Sequence, residues 1–126
     1  MNSLARHPGA LLGPLVLAPG ELSQSQLARY LGFNQPQPVN ELVKGKRSIT
    51  PKMALLFEQL TEGAYPAEFW LLAQMRWDVV QARGSLSPSR LRLVQVLDMP
   101  DSAELDAADG VAELLALAEE LRAMRW

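Results

Sequence analysis

Ser23-Gln24-Ser25-Gln26-Leu27-Ala28-Arg29-Tyr30-Leu31-Gly32-Phe33, continued by Asn34-Gln35-Pro36-Gln37-Pro38-Val39-Asn40-Glu41-Leu42-Val43-Lys44-Gly45, is the stretch that decides the fold. Ser23 is a suitable N-cap, because its hydroxyl can accept from an otherwise unpaired first-turn amide. A helix then runs through Gln24, Leu27, Ala28 and Leu31 and stops at Gly32, with apolar Phe33 just past the turn. The following segment ends at Gly45, a residue suited to a helix C-terminus. Pro36 and Pro38 fall in its first turn, where no intrahelical donor is needed, so a helix is allowed there. Two short helices joined by a glycine turn form the helix-turn-helix pattern, and Ala28 is small where the two must cross closely.

The second helix has two unlike sides. At about 100° per residue, Val39, Leu42 and Val43 define the buried one. The opposite side carries Gln37, Asn40, Glu41 and Lys44, all polar. Gln and Asn can make paired contacts to adenine, Lys can meet guanine, and Glu can accept from cytosine. Lys46 and Arg47 follow the helix end, where phosphates would lie. Any surface helix has a polar face, and a basic turn alone is ordinary solubility chemistry. Their place between a Ser-Gln helix and a Thr-Pro helix is what favours a duplex.

Outward from this motif, helix punctuation continues. Leu11, Leu12, Leu15 and Val16 repeat at helical spacing, but Pro14 kinks that helix or begins it, and Pro19-Gly20 ends it. Thr50-Pro51 is an N-cap followed by proline at the first helical position. Met53, Leu56, Phe57 and Leu60 then share one face, and Gly63 closes the helix. Pro66 opens another, with Phe69, Trp70, Leu72, Ala73, Trp77 and Val80, up to about Arg83. Gly84-Ser85 reads as a boundary. Ser87-Pro88 starts a segment to Met99 in which Val94 and Val96 also favour a strand. A last helix begins within Asp101–Glu104 or at Asp109, and its apolar side holds Val111, Leu114, Leu115, Ala118, Leu121 and Met124.

Composition excludes several function classes. The chain has no cysteine and one histidine, His7, so neither a thiolate metal site nor a catalytic triad is expected. No cofactor or metal is expected, and with no phosphate-cradling glycine loop an enzyme is the least favoured class. No long apolar run spans a membrane, and the N-terminus lacks the order of a secretion signal, so the cytoplasm is expected. The net charge of −2 is unevenly spread. Residues 1–83 hold eight Lys/Arg against six Asp/Glu, whereas residues 84–126 hold four against eight. A basic spot followed by an acidic segment suits two different partners.

From His7 to Arg83 the chain resembles the HigA-type antitoxins of the lambda-repressor-like (XRE) helix-turn-helix family. The resemblance rests on His7-Pro8-Gly9 and its distance to Ser23-Gln24, on Gly45-Lys46-Arg47-Ser48-Ile49-Thr50, and on Ala67-Glu68-Phe69-Trp70-Leu71 with Gln74, Trp77-Asp78 and Ala82-Arg83. It implies an all-α, five-helix DNA-binding domain over residues 1–83; residues 84–126 lie beyond the resemblance and are read as a C-terminal helical extension for dimerisation or partner binding. It implies a homodimer on palindromic operator DNA, repression of its own operon, and neutralisation of a cognate toxin that cleaves messenger RNA. Carried over by position, Gln24 would touch phosphate while Gln37, Asn40 and Lys44 face bases; Gln35, Glu41, Lys46, Arg47 and Thr50 complete the expected DNA-facing set. The sequence departs from the family's pattern in one extra turn residue before Val39, in Pro36 and Pro38, in Pro14, and in the extension. A protein-interaction antitoxin without DNA binding and a phage-type repressor without a toxin remain alternatives.

Phe69 and Trp77 are expected in the core, and His7 at the entry of the first helix. Trp70 either fills the core or joins a dimer surface, and with Gln74, Trp77, Leu114 and Leu121 it forms the expected dimer or partner interface. The acidic face of the last helix, with Asp109, Glu113, Glu119 and Glu120, either lies on its own domain or approaches a basic toxin.

Overall fold

The computed structural model describes residues 6–99 and 111–124, and every regular element among them is helical. Two compact units divide the chain, Met1–Ser85 and Leu86–Trp126. The first contains a 3-10 helix, Pro8–Leu11, that passes through a π-helical stretch, Gly13–Leu17, into α1, Ala18–Gly20. It continues with α2, Gln24–Tyr30, α3, Gln37–Val43, α4, Pro51–Leu60, and α5, Ala67–Ser85. The second contains α6, Pro88–Arg92, and α7, Val111–Ala123.

The first segment stays continuous through Pro14 and is distorted there rather than started anew. The amide of Ala18 donates to the carbonyl of Gly13, five residues back, so the turn widens around the donor-less proline. At α2 the cap is reciprocal: Gln26 N donates to Ser23 Oγ at 3.1 Å while Ser23 N donates to Gln26 Oε1 at 2.8 Å. Gly32 (φ +86°) ends α2, and the amide of Phe33 reaches back to the carbonyl of Ala28. Gly45 (φ +75°) ends α3 in the same way, Lys46 N donating to the carbonyl of Glu41. Both prolines are absorbed at the start of α3, Pro36 as N-cap residue and Pro38 in the first turn, so the helix forms intact.

The core of the first unit is one cluster. Leu12, Leu27, Val39, Leu42, Ala54, Phe57 and Trp70 have no solvent exposure at all. Trp70 is the largest of them, stacked at a tilt on Phe57 with centroids 4.9 Å apart, its indole N–H donating to the carbonyl of Tyr65 at 3.1 Å. Of the two places open to Trp70, the core is the one it takes, so its place in the expected partner surface is corrected. Phe69 is half-buried and packs against the core, as expected, whereas Trp77 is half-buried outside that cluster. On α4 the buried side is Met53, Ala54 and Phe57, and Leu56 lies exposed.

In the second unit the helix expected to run to Met99 ends at Arg92, and residues 95–99 form neither helix nor strand. Val94 and Val96, at the strand spacing of two, are both exposed, so no buried face supports a strand or a longer helix there. In α7, Val111, Leu115, Ala118 and Leu121 are half-buried along one side, while Leu114 and Leu117 are exposed. The starts expected for this helix at Asp101–Glu104 or Asp109 lie outside the described residues.

Candidate nucleic-acid interface

The polar side of α3 is set by what holds its other side. Val39 and Leu42 are fully buried beneath it, so the residues half a turn away must face outward. Gln37 and Lys44 are exposed; Asn40 and Glu41 are half-exposed. Lys46, Arg47 and Thr50 are exposed in the following turn, as is Gln35 before the helix. Gln24, in the first turn of α2, is half-buried. The hydroxyl of Thr50 accepts from Met53 N at 3.2 Å, so its first task is to cap α4.

Three contacts anchor this face to the domain. His7, Pro8 and Gly9 hold the C-terminal end of α3. A Cβ on Gly9 would overlap the backbone carbonyl of Leu42, so only glycine permits that approach. Beside it, a Cβ at Gly45 would stand 3.4 Å from Cγ of His7. The His7 ring also caps the first helical turn, its Nδ1 accepting from Gly9 N at 3.0 Å, and stands edge-on to Trp77 at 5.5 Å. Burial lowers the His7 pKa below its ordinary value, against a smaller opposing pull from Asp78. The neutral ring is the form that can accept at Nδ1.

Gln74 provides the third anchor. It is buried on α5, where its Oε1 accepts from Ile49 N at 2.8 Å and its Nε2 donates to Asp78 at 2.9 Å. The expectation that Gln74 serves a dimer or partner surface is therefore corrected. A buried amide bonded on both sides fixes the loop that carries Lys46 and Arg47. Nothing in a one-dimensional pattern links Gln74 to a loop 25 residues earlier, though a polar residue on the core side of α5 is a signal that an internal acceptor is needed.

Within the face itself, Glu41 is central. Gln37 Nε2 donates to its Oε1 at 2.7 Å, and Arg47 donates from Nε and Nη2 to its Oε2 at 3.2 and 3.0 Å. These bonds, Gln37 first and then Arg47, hold the Glu41 carboxyl below the usual carboxylate range. Helical spacing of four makes the Gln37–Glu41 pair visible in sequence. The return of Arg47 is not, because it depends on the left-handed turn at Gly45. Of the residues expected at a partner surface in the second unit, Leu114 is exposed and Leu121 half-buried.

Among the described residues, no group of three or more His, Asp or Glu side chains could hold a metal ion, and no helix is long and apolar enough to cross a membrane.

No protein-family model and no curated protein matches the sequence. Solved structures do match. The chain is similar to the Pseudomonas aeruginosa antitoxin HigA, solved with the higBA promoter, at TM-score 0.66 and 25% identity over 74% of this chain and 98% of that one. It is also similar to an addiction module antidote protein of a HigA family from Coxiella burnetii, at TM-score 0.66 and 27% identity over 74% of this chain and 98% of that one. A third is the antitoxin GraA, at TM-score 0.65 and 27% identity over 74% and 97% of the two chains.

Proposed function

We propose that this chain, a helix-turn-helix protein with the fold of the HigA-type antitoxins, is a DNA-binding antitoxin that represses its own operon and neutralises a toxin that cleaves messenger RNA. The observation that carries the reading is the outward side of α3, where Gln37, Asn40 and Lys44 stand clear of a buried Val39 and Leu42 and Lys46 follows at the helix end. Similar chains have been solved on a promoter and on operator DNA.

In this reading α3 lies in the major groove, Gln37, Asn40 and Lys44 meet base edges, and Gln24 and Lys46 meet phosphate. One such module reads few bases, so the working unit is a homodimer on two half-sites. Residues 1–83 form the DNA-binding domain, and residues 84–126, acidic on balance, serve a second partner, the basic toxin. In this reading the protein acts in the cytoplasm as a regulator rather than an enzyme, and its one histidine serves capping and packing.

The test is retardation of the duplex upstream of its own gene by the full chain across a salt series. Wild type shifts that duplex, with affinity falling as salt rises. Lys46→Ala weakens binding to every sequence and lowers the slope by about 1. If a small basic reading frame adjoins the gene, coexpression of the two should restore growth that the frame alone arrests. Absence of any shift at physiological salt rejects the DNA half of the proposal, and failure to restore growth rejects the antitoxin half.

A further inference from the structure

Glu41 sits in the middle of the outward side of α3, yet both of its oxygens are engaged within the protein. Oε1 accepts from Gln37 and Oε2 accepts twice from Arg47. A carboxylate that meets its own neighbours is poorly placed to accept from cytosine. Arg47 is likewise not poised for phosphate, because its guanidinium is drawn back onto the helix face six residues earlier in the chain.

A carboxylate can only accept, so the Gln37 amide must present its NH2 group to Glu41. That orientation leaves the carbonyl oxygen and the second amide hydrogen of Gln37 for another partner. This is the acceptor–donor pair that adenine N6 and N7 require, and the Nη1 edge of Arg47 is a donor edge suited to guanine O6 and N7. We propose that Glu41 is a positioning residue for base reading: it holds Gln37 and Arg47 as one preset unit on α3, aimed at an adenine and a guanine. The assignment rests on the DNA reading above.

Two physical consequences follow. Side chains already locked in a bound-like rotamer lose less entropy on meeting their bases, which favours the matched sequence. The same carboxylate faces phosphate with like charge and keeps Arg47 from it, which disfavours every unmatched sequence. Glu41 thus trades affinity for discrimination.

The test is selection from a random-sequence duplex library with full-length wild type, Glu41→Ala and Glu41→Gln, followed by competition binding against random duplex. Wild type should enrich a motif containing the adenine and guanine. Glu41→Ala should lose preference at both positions together, by about tenfold each, while binding random duplex as tightly as wild type or more tightly. Glu41→Gln keeps a single acceptor and should retain one of the two preferences. Both variants should melt with wild type, since the residue is at the surface. If Glu41→Ala selects the wild-type motif with undiminished preference, Glu41 merely repels phosphate and the assignment is wrong. A wild-type chain that enriches no motif overturns the DNA reading and the assignment with it.

Discussion

The two units of this chain are built on opposite principles. The first buries twelve apolar side chains in one cluster, whereas no described residue from Leu86 onward is buried. Leu93, Val94, Val96 and Leu97 in the second are all more than half exposed. The fold of the first is therefore held by its own packing, and its recognition surface can be rigid. The described residues of the second bury no side chain of their own, so its packing cannot give it that rigidity.

The contrast fixes an order of mutational effects. Trp70→Ala removes the largest core side chain and should cost about 3–5 kcal/mol in chemical denaturation. A cost below about 1 kcal/mol would mean that the first unit is not held by this cluster.

Gln74→Ala comes next. It strands the amide of Ile49 and removes a donor from Asp78, for about 1–3 kcal/mol and a measurable loss of duplex affinity through the loosened Lys46–Ile49 turn. Gln74→Glu sharpens the point: it keeps the acceptor for Ile49 but sets a second carboxylate against Asp78. It should therefore destabilise more at neutral pH than in acid.

His7 gives a smaller, pH-linked effect. Its pKa is lowered on folding, so the unfolded chain binds the proton more readily and stability falls as pH drops below about 6.5. The loss ends once the pH has passed the lowered folded value. Melting of His7→Gln between neutral and mildly acidic pH should show a shallower decline than wild type. Parallel declines would remove His7 from the account.

Leu114→Ala should have the smallest effect, within about 0.5 kcal/mol, because the side chain is exposed. A larger cost, especially one that grows with protein concentration, would show that α7 already buries that side against a second copy.

Much of the first unit was legible in sequence because its signals are local. Ser23, Gly32, Gly45 and Thr50-Pro51 state where helices start and stop, and the Val39, Leu42, Val43 pattern orients α3 without any tertiary knowledge. What stayed hidden depends on long-range closure. Trp70, rather than Trp77, is fully buried, its ring against Phe57, and helical spacing alone does not choose between the two. Gln74 looks like a surface residue until the amide of Ile49 is placed beside it. In the second unit the local signals were weaker, and the helix starting at Pro88 stops after Arg92 where Val94 and Val96 give it no buried side to follow.

The most direct test of the central claim is to titrate the full chain with duplex DNA and follow backbone amide resonances. The account predicts that the largest shifts fall on Gln37 to Lys46 and the first turn of α2, with Val111 to Ala123 unmoved. Shifts concentrated in the second unit, or none in α3 at saturating duplex, would contradict it.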